Sequence, residues 1–495
     1  MPIVDEASLD RKLGELEVAA SWSPRTISKL ESFIRSGDDE SLFKISPVQF
    51  GKDRAVPEGE AIDLFLHGTK AGLFNMEWHL LCPGCGDIIE SLASLKSVST
   101  EYHCRVCQYD YSTTLDDYIE VSFSISPEIR RTKFHDLGSL SAEDYFFQYL
   151  LSGQSAYPNG KTPREIHRHR QKSLAYVEPN EAKSLAMELD PGFLLCTDFT
   201  YHWELFFNVE GEPAGEPQRL DIVIENGAIG QSHSKDAPGT LRPGPLIVNI
   251  LNKGERRSLT YFQEVGPDFF NMKFEPVKYG NILSGKRLFI TKTFADLFRS
   301  ETIQRKGGLA VRDLTILFTD LKGSTALYDR VGDLKAFSLV QQHFDRLEKV
   351  VGSRTGTIVK TIGDAVMAAF SAPADAVGAA MEMLREIDAF NTEYGEKVIV
   401  LKIGIHKGTC IAVNLNDRLD YFGKTVNIAA RVQALAMDEE IFITQDVLQD
   451  PGVAELLSEL HVVSEKARLK GVPEEVQVHK IVLRRLNTRE GKKFI

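Results

Sequence analysis

The chain has 495 residues, 43% of them apolar and 26% charged, with a formal net charge of −12. One hydrophobic core stops growing well short of that length, so two to four domains of ordinary soluble composition are predicted. The acidic balance argues against broad duplex nucleic-acid binding, which needs a basic footprint, and the absence of a secretory leader or a long apolar run predicts a cytoplasmic chain without a transmembrane segment.

Residues 1–66 mix amphipathic stretches such as Ile27-Ser28-Lys29-Leu30-Glu31-Ser32-Phe33-Ile34 with loops, and read as a helical N-terminal segment. A mixed region, 67–187, follows. Within it, at about 76–115, four of the chain's six cysteines form the pairs Cys82-Pro83-Gly84-Cys85 and Cys104-Arg105-Val106-Cys107. That spacing is the tetrahedral zinc-ribbon pattern, and with all four thiolates engaged the metal would be one structural Zn2+ per chain. His103 is an alternative ligand, but four sulfurs already complete the site. Helical patterns then extend to about residue 188, and the cationic run His167-Arg168-His169-Arg170-Gln171-Lys172 reads as a solvated helix face.

Residues 188–285 show short alternating runs, including Gln218-Arg219-Leu220-Asp221-Ile222-Val223-Ile224-Glu225, punctuated by Asn226-Gly227 and Lys253-Gly254. This texture predicts a β-sandwich-like domain. Over 286–307, Phe294, Leu297 and Phe298 recur at helical spacing ahead of Gly307-Gly308, which reads as a coupling helix and linker. Cys196 and Cys410 stand alone in apolar runs and are expected in the core.

From Val311 strands and helices alternate. The strand Leu314-Thr315-Ile316-Leu317-Phe318-Thr319 ends at Asp320, and Leu321-Lys322-Gly323 turns into a helix capped by Ser324 or Thr325 that is expected to run to about Val351. Backbone N–H groups at such a helix start attract anions. Residues 356–362 and 365–370 read as two strands joined at Gly363-Asp364, which puts Asp364 at a hairpin tip. Two carboxylates, each where a strand meets a turn, suggest a two-metal phosphate site, because hard divalent cations prefer carboxylate oxygens.

Phe318-Thr319-Asp320 with Gly323-Ser324, then Lys360-x-x-Gly363-Asp364, then Asp420-Tyr421-Phe422-Gly423-x-Thr425-Val426-Asn427-x-Ala429-x-x-Arg431 resemble the class III nucleotidyl cyclases in order and spacing, bacterial adenylyl cyclases in particular. The resemblance covers residues 308–486 and leaves 487–495 as a tail. It implies a ferredoxin-like βαββαβ catalytic domain, so the fold class is multidomain α+β, with a helical and zinc-ribbon lobe plus a β-sandwich ahead of it. The N-terminal region is also similar to an uncharacterised module found before bacterial cyclase domains, which names no activity.

Carried over to this sequence, the family implies that Asp320 and Asp364, with the backbone carbonyl of Leu321, bind two Mg2+ or Mn2+ per active site. Asn427 and Arg431 would position the ribose and stabilise charge on the α-phosphate. Lys360 and Asp420 would read the purine. Phe318, Thr319, Leu321, Lys322, Gly323, Ser324, Thr325 and the loop lysine Lys470 would contact the substrate. Adenine offers a 6-amino donor and an N1 acceptor, which aspartate and lysine complement, whereas members that use GTP resemble this pattern with glutamate and a small polar residue or cysteine. ATP is therefore the expected substrate.

In the family the metal-binding and purine-binding sets face each other across a head-to-tail dimer, and this chain carries both, which implies a homodimer with composite sites. The first functional reading is an adenylyl cyclase regulated through its N-terminal region by an unknown ligand or protein. A guanylyl cyclase and a non-enzymatic nucleotide-binding or zinc-ribbon regulator are the alternatives. The intact six-residue set and the acidic charge argue against the last.

Overall fold

The computed structural model describes residues 4–84, 86–92, 101–104, 109–112, 118–157, 159–201, 203–225, 228–232, 240–266, 277–298, 309–415, 418–483, 485–488 and 491–494. It opens with the helices Glu6–Ala19, Thr26–Ser36, Pro47–Arg54 and Glu58–Ala71. Local chemistry fixes their ends. Asp5 caps the first by accepting from the Ser8 N–H at 3.0 Å, Ser46 caps the third with Pro47 at its first position, and Gly72 closes the fourth at φ +80°. Their apolar stripes, with Leu13, Leu30, Ile34 and Phe65 buried, share a core with a four-stranded sheet ordered Leu283–Ser284, Ile119–Ile125, Phe74–Leu81, Ile88–Leu92. Ile119–Ile125 is buried at every position.

Two further sheets enclose a second core. One is ordered Thr240–Leu241, Trp203–Val209, Gly192–Asp198, Ser258–Val265, Gln171–Val177, and the other Ala228–Ser232, Gln218–Glu225, Gly244–Asn252, Ala182–Leu189. Val177, Cys196, Phe207, Ile222, Val248 and Phe262 meet between them. Gln171–Val177 and Ala182–Leu189 lie upstream of the change in texture at residue 188, in a stretch that reads as helical, and yet they pair into these sheets. Short apolar runs look alike in either period, and long-range pairing decides between them. The cationic run is likewise not one solvated face. The helix Pro163–Arg170 ends inside it, and His167 is only 8% exposed, its Nδ1 3.2 Å from the Tyr261 hydroxyl.

The C-terminal region is built on an eight-stranded sheet. Its central strand Leu309–Leu321 pairs antiparallel with Ala365–Phe370 on one side and Leu401–Leu415 on the other, and Thr357–Ile362 pairs outside Ala365–Phe370. With the crossover helices Asp333–Ser353 and Pro373–Tyr394 this is the ferredoxin-like βαββαβ order. Ile441–Thr444, Glu475–Val482 and His461–Arg468 extend the sheet beyond Leu401–Leu415, which also forms a hairpin with Arg418–Phe422. The helices cover one face, where Leu347, Leu384 and Ile387 share a core with Leu317, Val366 and Ile403. The single helix expected to reach Val351 is two, Ser324–Val331 and Asp333–Ser353, broken where Gly332 takes φ +82°. The cap is Gly323 at φ +70°, not Ser324 or Thr325.

On the opposite face Ile316, Phe318, Met367, Cys410 and Tyr421 join one apolar cluster with Phe289, Ile290, Phe294, Trp78 and Phe65. The helix Lys292–Leu297 therefore lies between the N-terminal sheet and the C-terminal one, with Phe294 as its buried residue. Phe294 is 1% exposed, edge-on to Trp78 at 5.9 Å and stacked on Phe298 at 5.4 Å. Lys292 Nζ lies 2.5 Å from Glu348 on the helix Asp333–Ser353. Among the described residues no helix is long and apolar enough to cross a membrane.

Candidate active site

Strand register brings the two aspartates together. Thr319 pairs with Val366, which carries Asp320, the next residue, beside the turn holding Gly363 (φ +63°) and Asp364. Asp320 is also in register with Lys402, whose Nζ lies 2.5 Å from Asp320 Oδ2. The Asp364 Oδ2 atom is buried and has no hydrogen-bond partner among the described residues. A buried carboxylate oxygen without a donor costs several kcal/mol, roughly, unless a cation meets it, so the residues present fit a divalent ion.

His343, from the long helix behind, is fully buried with Nδ1 2.9 Å from the Val340 carbonyl and Nε2 unpartnered. Burial lowers its pKa, while the Val340 carbonyl and the charge of Asp364 pull it back up. Sequence reasoning missed both Lys402 and His343. A lone lysine in a strand and a lone histidine in a helix carry no signal until pairing places them.

Lys360 and Asp420, the pair expected to read the base, meet in the folded chain. Lys360 Nζ donates to Asp420 Oδ1 at 2.8 Å and Oδ2 at 2.6 Å, and the Tyr421 N–H donates to Oδ1 at 2.8 Å. The Asp420 side chain is only 15% exposed against 36% for Lys360. Phe422 presents its ring 5.7 Å from the same ammonium and is 44% exposed.

Asn427 and Arg431 project from the helix Lys424–Gln433, both exposed and four residues apart, hence on one face. Neither makes a side-chain hydrogen bond or ion pair among the described residues. The helix is seated tightly on the sheet. Thr425 Oγ1 donates to the Thr409 carbonyl at 2.7 Å, and a Cβ at Gly404 would come within 2.1 Å of the Gln433 backbone nitrogen.

The remaining expected contacts divide by burial. Phe318, Thr319 and Leu321 are buried, and Thr319 Oγ1 accepts from the Val366 N–H at 3.2 Å, so only their backbone could face a substrate. Lys322 turns to Asp438, with Nζ 2.5 Å from its Oδ1. Gly323 and Ser324 open the helix Ser324–Val331, and the Thr325 side chain lies outside the described residues. Lys470 is exposed in the turn before Gly471 (φ +79°). Of the cysteines, Cys82 and Cys104 are buried, Cys85 and Cys107 lie outside the described residues, and the Gly84 N–H points at Cys82 Sγ at 3.4 Å. Among the described residues no group of three or more His, Cys, Asp or Glu could hold a metal ion. Cys196 and Cys410 are buried strand residues, as their apolar surroundings predict, and burial pushes the Cys410 thiol up to about 12.

Residues 10–296 match a family of unknown function, DUF5939, and residues 310–489 match the adenylate and guanylate cyclase catalytic domain. An adenylate cyclase of Anabaena cylindrica is 28% identical over 210 residues, which is 39% of this chain and 42% of that protein. Retinal guanylyl cyclase 1 of Bos taurus is 27% identical over 149 residues, 28% of this chain and 13% of that protein. The chain thus spans less than half the length of either relative. A solved structure of adenylate cyclases from Trypanosoma brucei in their monomeric state is 25% identical over 34% of this chain and 87% of that one, with a TM-score of 0.30.

Proposed function

From the premise that the chain belongs to the DUF5939 family and carries a class III adenylate and guanylate cyclase catalytic domain, we propose that it converts ATP to 3′,5′-cyclic AMP and pyrophosphate. The observation that carries the choice of base is the Lys360–Asp420 pair. Adenine can replace each partner for the other, its 6-amino group donating to the carboxylate and its N1 accepting from the ammonium. Guanine would set a carbonyl against Asp420 and an N–H against Lys360, leaving both half-buried charges unpaired.

Asp320 and Asp364, with the Leu321 carbonyl, would hold two Mg2+ or Mn2+, a reading supported by the partnerless Asp364 Oδ2. When bound, such ions lower the pKa of the ribose 3′-hydroxyl and neutralise the phosphates. Lys402 supplies Asp320 with a counter-charge. Asn427 orients the ribose. The Arg431 guanidinium meets the charge that grows as the 3′-oxygen bonds to the α-phosphorus and the bond to pyrophosphate breaks. Backbone N–H groups at Gly323 and Ser324, with Lys470, would take the terminal phosphates.

Asn427 and Arg431 would act on the nucleotide held by the aspartates of a second copy, giving a homodimer with two composite sites. Exposed Ile362, Ile411 and Phe422, which are 52%, 42% and 44% exposed, support an apolar contact there. The N-terminal region would regulate the site through the Phe294 helix. Its Cys82, Cys85, Cys104 and Cys107 would share one structural zinc, supported by the paired spacing and by the Gly84 N–H on Cys82 Sγ.

The test is product analysis: purified full-length protein is incubated with ATP or GTP and Mg2+ or Mn2+, and cyclic nucleotide is quantified. Cyclic AMP in clear excess is expected. Cyclic GMP at an equal or higher rate would overturn the base assignment, and full activity in Asp364→Ala would overturn the site.

A further inference from the structure

The N-terminal region contains a cavity of about 430 Å3, within the range of small-molecule sites. Lys44, Glu120 and Arg164 line it together with Gln148 and Gln154. Glu120 is 4% exposed and Gln148 8%. Lys44 is held in the left-handed region at φ +50°, which a non-glycine residue adopts only when its surroundings compel it. Its ammonium reaches the Tyr149 carbonyl at 2.9 Å and lies 5.4 and 5.2 Å from the Phe43 and Tyr149 rings.

These charges act on one another but do not close on one another. Among the described residues Glu120 Oε2 accepts only from Ser152 Oγ at 3.0 Å, Arg164 reaches the Leu151 carbonyl at 3.4 Å, and the Arg164 Nε is buried without a partner. Among the described residues no ion pair joins Lys44 or Arg164 to Glu120 or to the nearby Glu77. Burial brings the Lys44 pKa down to about 7, Glu77 and Glu120 opposing the shift, and raises those of Glu77 and Glu120 themselves. A buried carboxylate and two half-buried cations, held apart around an open space, are costly unless a complementary group fills it.

We infer that this cavity is a binding site for a small zwitterionic metabolite of the α-amino-acid type, its carboxylate taken by Lys44 and Arg164 and its ammonium by Glu120. A simple anion would leave Glu120 uncompensated, and a simple amine would leave both cations so. The apolar rim of Phe43, Phe33 and Phe50 takes the remainder of the ligand.

Three residues of the cavity wall hold the segment that leads to the catalytic domain. Gln49 Oε1 accepts from Asn281 Nδ2 at 2.7 Å, the Gln154 carbonyl accepts from the Gly280 N–H at 2.9 Å, and Glu120 is in register with Ser284. From Ser284 the chain runs directly into Gly285–Phe289 and then Lys292–Leu297. That helix borders a junction cavity of about 670 Å3 shared with Phe344, Val351 and Gly356 of the catalytic domain. Transmission to the active site rests on the cyclase reading above; binding does not.

The test uses the full chain and the common L-amino acids, added singly at millimolar concentration, with thermal melting and calorimetry as readouts. At least one is expected to raise the melting temperature, while its decarboxylated amine and its deaminated acid do not. Glu120→Gln, which keeps the side chain's shape, should weaken binding about tenfold or more. Failure of every amino acid to bind, equal binding of the amine or the acid alone, or unchanged affinity in Glu120→Gln would each overturn the proposal. The ligand comparison needs no variant and so stands even if Glu120→Gln misfolds. A protein that binds an amino acid but makes no cyclic nucleotide would refute the cyclase reading and support this one.

Discussion

Lys360 Nζ sits within 2.8 Å of one Asp420 carboxylate oxygen and 2.6 Å of the other, so two residues sixty positions apart satisfy one another at the edge of the sheet. In the proposed function each exchanges its partner for a purine edge. Lys360→Ala should leave the less exposed Asp420 without its donor and lower kcat/KM for ATP roughly ten- to a hundredfold, about 1.4–3 kcal/mol. Steady-state kinetics with both nucleotides checks this. A combined Lys360→Glu and Asp420→Cys chain should raise the GTP-to-ATP ratio, and an unchanged ratio would remove the pair from base recognition.

Asp320 and Arg431 should be separable between chains. Asp320→Ala and Arg431→Ala are each expected to be inactive, but their mixture places both defects in one composite site and neither in the other. Mixing should recover cyclic AMP synthesis, measured against each variant alone at the same total concentration. No recovery under conditions where the chains exchange would count against the dimer.

Gly404 is where the helix Lys424–Gln433 touches the sheet. Its missing Cβ would lie 2.1 Å from the Gln433 nitrogen and 2.3 Å from the Gln433 Cα, both backbone atoms that cannot swing aside. Gly404→Ala should destabilise the domain by about 1–3 kcal/mol and move Asn427 and Arg431 off the substrate. Denaturant unfolding and kcat should fall together. Wild-type values in both would mean that the helix tolerates the shift.

Burial holds the pKa of His167 and of His406 at about 4, against an ordinary value of 6.5. Both are neutral in the fold and bind protons more readily once unfolded. Their contribution is therefore complete above about pH 6.5 and is lost as pH falls toward 4, with a slope of roughly 1.4 kcal/mol per pH unit for each histidine. His167→Phe should flatten the wild-type dependence across that window, read from denaturant midpoints. An identical slope would assign the acid loss to other groups.

For the cysteine lobe the expected metal content is one zinc per chain. Stripping it with a chelator should unfold the N-terminal lobe, visible as increased proteolysis there, while chemistry is lost only indirectly. Cys82→Ser and Cys104→Ser should each reproduce the effect. A metal-free preparation with full protease resistance would refute the zinc.

Asp320, Asp364, Lys360, Asp420, Asn427 and Arg431 were legible in the sequence as candidates, because they fall in motifs that resemble those of class III cyclases and that sit at a strand end, a hairpin tip and one helix face. The ferredoxin-like order was implied by that resemblance, and the alternation of strands and helices from Val311 agrees with it. Local pattern could not place Gln171–Val177 and Ala182–Leu189, whose short apolar runs fit either period until they met Ser258–Val265 and Gly244–Asn252. Nor could it find the break at Gly332, which needed a positive φ rather than a change of composition.

The sequence by itself determined which residue types carry the proposed chemistry and in what order, because catalytic motifs are local. Only the tertiary structure decided that Lys402 holds Asp320, that Lys360 and Asp420 meet, and that Phe294 is buried between two sheets. It alone gathered Lys44, Glu120 and Arg164 around a cavity. Those relations join positions far apart in the chain, and long-range packing and strand register, not local propensity, set which distant side chains share a space.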